Sequence, residues 1–164
     1  MNVTLRQARI ALAILGAVVL ALLLNRLILT DKKRIERTVR DMADAVAKGD
    51  IDLLFSHISA DYQDEAHSRA ELESWVAAQL SRFGRVTPKI RRMTVTVSGT
   101  LARVEVSVSA GVETEGYGAM TVNSDWAADF RKESDGAWRV TSITPVRIEG
   151  REVSGWRDMR RGFE

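Results

Sequence analysis

The eleven residues HISADYQDEAH, from His57 to His67, hold both histidines of the chain, one of its two tyrosines and three carboxylates. A carboxylate with an imidazole and a phenol nearby is the equipment of general acid–base chemistry, with Asp64 as base and Tyr62 or His67 assisting. The spacing H-x3-D-x2-D-x2-H through His57, Asp61, Asp64 and His67 also supplies nitrogen and oxygen donors suited to several divalent ions. It matches no metal motif with a physical rationale, so neither a metal nor a cofactor is expected. A plainer reading is available too, because aspartate side chains bond nearby backbone amides and turn a chain between helices. On that reading Asp61 and Asp64 form the turn, Tyr62 is a core-edge aromatic and His57 lies on a helix surface. The chain has no cysteine, which removes disulfides, thiolate metal sites and a cysteine nucleophile. It also has no glycine-rich phosphate loop after a strand and no serine with a positioned base.

Helices must hold this stretch. Ile35, Val39, Met42, Ala43 and Val46 repeat at helical spacing, and KGD at 48–50 supplies a basic last turn and a glycine stop. A short second helix, IDLLFSHIS, is apolar at Leu53, Leu54 and Ile58. SRAE at 68–71 has the capping-box form, and Leu72, Trp75, Val76, Leu80 and Phe83 make the stripe of a third helix ending near Gly84.

After RVTP the period changes to two. MTVTVSG, ARVEVSVS, DWAADF and AWRVTSITPVRIE read as four antiparallel strands, with ESDG as a hairpin turn and glycines in GTLAR and EGYGAM as turn and bulge positions. Alternation sends Val95, Val97, Val104, Val106, Trp126, Phe130, Trp138 and Val140 toward the helices. Arg103, Glu105, Asp125, Asp129 and Arg139 then face outward, where the acids pair with arginines across strands. The predicted fold class is α+β, three helices on a curved antiparallel sheet of about four strands. The tail from 150 to 164 is predicted to close over the core as a short helix.

Charge and hydropathy divide the chain. Residues 1–40 carry 8 of the 24 Lys and Arg but 2 of the 22 acids, leaving the remainder with a net charge of −4. A mildly acidic body argues against nucleic acid as a partner. Ile10 to Leu24 is uninterrupted apolar sequence, and 10–29 is long enough to cross a bilayer, so a single-pass transmembrane helix is expected there after a short tail at 1–9. A cleaved signal peptide is the rival reading, but no small-x-small site follows. Lys32, Lys33, Arg34, Arg37 and Arg40 would hold the body inside by the positive-inside rule, which is weak for so long a segment. The expected location is the membrane, with the body exported.

The phrases MADAVAKGDIDLLFSHISADYQDEAHSRAELESWV at 42–76 and WAADFRKESDGAWRV at 126–140 resemble the nuclear transport factor 2-like superfamily over a domain of residues 31–149. That superfamily is the cone-shaped, cystatin-like α+β fold of ketosteroid isomerases and SnoaL-type polyketide cyclases. The resemblance implies an apolar cone, lined here by Trp75, Trp126, Phe130 and Trp138. It puts the family's base on Asp64, with Tyr62, His67 and Tyr117 near a pocket. The donor tyrosine of the isomerases falls on Met42, which cannot donate a hydrogen bond, so the resemblance points to a non-catalytic member. Such a module would bind a small apolar ligand, a partner protein, or its own copy through the outer sheet face. An isomerase, dehydratase or cyclase using Asp64 is the alternative.

Overall fold

From residue 30 the chain is helical through residue 48 (α1), burying Ile35 and Ala45 and half-burying Val39, Met42 and Val46 on the face the periodicity marks. The computed structural model describes residues 30–83, 85–114 and 118–161, without the side chains of 114 and 159–161. Gly49 ends α1 at φ 69°, its N–H donating to Val46 O while that of Asp50 donates to Ala45 O. This paired closure needs a residue at ease with positive φ, and glycine has no Cβ to clash there. Asp50 then caps α2 (Ile51–Ser56), its carboxylate accepting from Leu53 N at 2.9 Å. The sequence carried this helix on to Ser59, whereas it stops at Ser56 because the next residues pair with the sheet: Ser59 N donates to Val140 O and Val140 N to His57 O. α3 (Arg69–Arg82) opens on the expected capping box, with Glu71 accepting from the Ser68 amide and hydroxyl at 2.7 Å each. Leu72, Trp75 and Val76 of its stripe reach the core; Leu80 and Phe83 lie beyond it.

Five strands follow, one more than the sequence suggests: β1 (Arg85–Ser98), β2 (Leu101–Thr114), β3 (Gly118–Lys132), β4 (Trp138–Ile148) and β5 (Arg151–Glu152). They form one antiparallel meander in that order. A two-residue strand leaves no alternation to read, which is why β5 escapes a periodicity argument. RVTP belongs to β1 rather than to a preceding loop; Pro88 is tolerated because β1 is an edge strand paired on one side only. ESDG makes the turn expected of it, with Gly136 at φ 78°.

The helices cover one face of the sheet. Val104, Phe130 and Val140 are fully buried there with Ile35. On the other face Arg103 meets Asp129 at 3.1 Å and Arg147 meets Asp125 at 3.5 Å, the cross-strand pairing that alternation implies. Residues 150–164, a tail by sequence, contribute β5 and the short helix α4 (Trp156–Arg161), so the core continues to Trp156. Among the described residues no helix is long and apolar enough to cross a membrane, and the apolar stretch 10–29 lies outside them.

α1 is tied to the sheet by an ion pair: Asp31 lies 3.0 Å from Lys132 at the end of β3. Burial pushes the Asp31 carboxyl up, but the Trp138 indole beside it, Lys132 and Arg34 outweigh burial and hold it below the usual carboxylate range. A depressed folded value adds stability above the unfolded value, lost as pH falls through the folded one. Asp31→Asn is expected to cost about 1–3 kcal/mol at neutral pH, and urea unfolding should show that gap closing as pH falls below about 4.

Candidate functional site

The loop from His57 to Ser68 folds around the Asp64 side chain, which is 2% exposed. Oδ1 accepts from the Ala66 and His67 amides at 2.7 and 2.6 Å, and Oδ2 from the Tyr62 hydroxyl at 2.5 Å. The His67 ring, 3% exposed, brings Nδ1 to 3.3 Å from Oδ1 and 3.4 Å from Oδ2. Asp64 N donates to His67 O, so backbone and side chain close the same turn. A carboxylate buried among apolar groups is tolerable only when its oxygens are hydrogen-bonded, and Asp64 meets that condition from within its own loop. Burial, and next the hydrogen bond to Asp64, push the Tyr62 phenol well above the usual tyrosine range. Tyr62 therefore stays a donor throughout the ordinary pH range.

The loop is itself anchored to the sheet. Gln63 N donates to Thr141 O, Ser59 Oγ to Glu133 at 2.7 Å, and Arg131 pairs with Asp61 at 2.7 Å. His67 then presents its ring to Trp156, the two meeting edge to face with centroids 4.9 Å apart. Trp156 touches Trp75 at 5.3 Å and Trp126 at 5.7 Å, and its indole N–H donates to Ile143 O at 2.8 Å. One indole thereby joins the loop, α3, β3 and β4. Gly155 precedes it at φ 100°, where a Cβ would lie 2.5 Å from a Glu65 oxygen.

Between helices and sheet lies a cavity of about 280 Å³, within reach of the small-ligand range. α1 contributes Met42, α3 Trp75, and the sheet Val104, Trp126 and Phe130; Trp156 closes the end nearest the loop. Among the described lining residues every side chain is apolar or aromatic and none is titratable. Trp75, Trp126 and Phe130 line the cavity. Trp138 is buried instead beneath Lys132, whose Nζ lies 5.9 Å from the ring centroid, and Trp156 takes the place expected of it. The sequence predicts that the tail closes over the core as a short helix, which α4 does, but it gives no sign that Trp156 would line the cavity.

Tyr62, Asp64 and His67 are brought together, as an acid–base reading requires, but none of them lines the cavity. The four residues of the metal spacing diverge. Asp61 points outward to Arg131, and His57 caps α2; among the described residues no group of three or more His, Cys, Asp or Glu could hold an ion. Met42 lines the cone and supplies no donor. Tyr117 lies outside the described residues.

No family model matches the chain, and no curated protein does. Solved structures do. A nuclear transport factor 2-like superfamily protein from Salmonella enterica superposes with a TM-score of 0.65 at 14% identity, over 77% of this chain and 94% of that one. A candidate aromatic ring hydroxylase from Novosphingobium aromaticivorans gives 0.64 at 19% identity, over 75% and 94%. A candidate dehydratase of the same family from Streptomyces avermitilis gives 0.62 at 16%, over 71% and 95%. At such identities the likeness is one of fold.

Asp64→Asn replaces an acceptor with an amide among donors and is expected to lower unfolding free energy by about 1–3 kcal/mol, measured by urea denaturation. In a Tyr117→Phe background, alkaline titration at 295 nm should show no tyrosinate near pH 10 while the protein stays folded. A raised folded value contributes stability below the unfolded value, lost only as pH climbs through the folded one.

Proposed function

On the premise that the chain has the nuclear transport factor 2-like fold, we propose that it is a non-catalytic module whose cone binds a small apolar molecule. The observation that carries this reading is the lining: a cavity of about 280 Å³ with no titratable side chain among its described residues. General acid–base catalysis needs a group within hydrogen-bond reach of the reacting atom. Asp64, the residue best placed for that role by resemblance, spends its oxygens on Tyr62, Ala66 and His67. Among the described residues, no titratable group faces the cone that could carry out an acid–base step there. Burial of an apolar ligand would be driven by area removed from water, about 25 cal/mol per Å².

The proposal includes the tether. Residues 10–29 have the length and composition of a single bilayer crossing, and residues 30–48 continue directly as α1. The body is read as exported, where a binding module would meet apolar molecules at the membrane surface. Self-association through the outer sheet face belongs to the same reading.

Among the described residues the buried core runs from Asp31 to Trp156, so a fragment of residues 31–164 serves for the test. Titration with N-phenyl-1-naphthylamine should give saturable, blue-shifted fluorescence. Ala128, which lines the cavity, offers the control. Ala128→Leu fills part of the space and is expected to weaken the probe at least tenfold while leaving the unfolding midpoint unchanged or higher. Fluorescence that never saturates, or that ignores Ala128→Leu, would sink the reading.

A further inference from the structure

Two recesses meet at the mouth of the cone. Ala43 of α1 and Pro88 and Ile90 of β1 line the apolar cavity and also a groove running outward between α1 and β1. Past these three residues the walls become charged: Glu36, Arg40 and Asp44 stand on α1, facing Arg91 and Arg92 on β1. Arg40 is 3.9 Å from Glu36. Among the described residues Arg91 and Arg92 make no ion pair or side-chain hydrogen bond, and neither does Asp44. Three cations against two carboxylates leave the groove one positive charge in excess.

The backbone explains how a cation comes to the rim. β1 has a bulge between Ile90 and Arg92, and Arg91 has no register partner on β2. A bulge breaks strict alternation and re-aims the side chain at that position. Ile90 keeps its place in the cavity and Arg92 borders the outer sheet face as well as the groove, while Arg91 lines the groove alone among the recesses here. The bulge lets both Ile90 and Met93 face the helices, and Arg91 lies between them at the seam between cavity and groove.

We infer that the cone and groove together take a single-chain amphiphile, its aliphatic tail in the cavity and one anionic head against Arg91 at the rim. This rests on the apolar-cone reading above and adds to it the class of ligand. At about 30 Å³ per water-sized group, which a methylene roughly matches, 280 Å³ accommodates a tail of about nine carbons. The head is a carboxylate or a phosphate monoester; both are acceptor-only anions that a guanidinium binds with two donors. Asp44 on the facing wall disfavours a second negative group.

The test uses the full chain in phosphatidylcholine nanodiscs, with discs alone subtracted, and equilibrium dialysis of decanoate, decyl phosphate and decan-1-ol at low salt. At least one of the two anions should bind about fivefold more tightly than the alcohol, a modest gain because the pair is exposed. Arg91→Gln should abolish most of that preference and leave decan-1-ol unchanged. From hexanoate to decanoate the affinity should rise about fourfold per methylene and then level off. Tighter decanoate identifies a free acid as the source of the head, and tighter decyl phosphate a phosphate monoester; either supports the inference. Equal binding of anions and alcohol, or a preference that survives Arg91→Gln, overturns the headgroup site and leaves the apolar cone standing. Failure of all three to bind, decan-1-ol included, overturns the cone reading and this one with it.

Discussion

The arrangement turns on one buried carboxylate. Asp64 has no lysine or arginine partner among the described residues, so its charge is made tolerable by two backbone amides, the Tyr62 hydroxyl and the His67 ring. These donors come from residues 62–67, and gathering them around one side chain gives the loop its shape. The shape sets the direction of His67, and His67 supports Trp156. A chain of contacts thus runs from a carboxylate outside the cavity to the indole that closes it. Loss of a buried polar network of this kind is costly because each remaining donor is left without an acceptor in a low-dielectric interior.

The same residues that suggest catalysis to a reader of sequence are here consumed in construction. An acid, an imidazole and a phenol within six residues can make an active site or a self-satisfied turn, and composition does not separate the two. Direction does. Asp64 faces its own loop, and the cavity beside it is walled by aliphatic and aromatic side chains. The binding reading rests on this contrast, since catalysis of a polar reaction needs groups aimed at the developing charge and the described lining of the cavity is apolar and aromatic.

Much of this was legible in the residues. Helical spacing marked the buried face of α1, KGD its end, SRAE the start of α3, and strand alternation the two faces of the sheet, because each follows from local geometry repeated over several residues. The cavity-lining roles of Trp75, Trp126 and Phe130 followed from the same periodicities joined to the cone-shaped fold. What escaped depends on contacts distant in sequence. β5 is too short to show a pattern, the tail expected to close over the core gave no sign that Trp156 would line the cavity, and the bulge at Arg91 interrupts a strand whose apolar alternation resumes at Met93. Trp138 alternates correctly and is buried, yet the fold places it under Lys132 rather than in the cone. Periodicity gives a face and not a depth.

The central claim, that the cone is an empty apolar chamber, is tested most directly by xenon. Xenon enters dry apolar cavities of this size and avoids hydrated ones. A crystal of residues 31–164 under xenon pressure should show a strong anomalous peak between Val104, Phe130 and Trp156, with no ordered water inside the lining. Ordered water bridging to a polar group in that space, or side chains collapsed into it with no xenon bound, would contradict the claim.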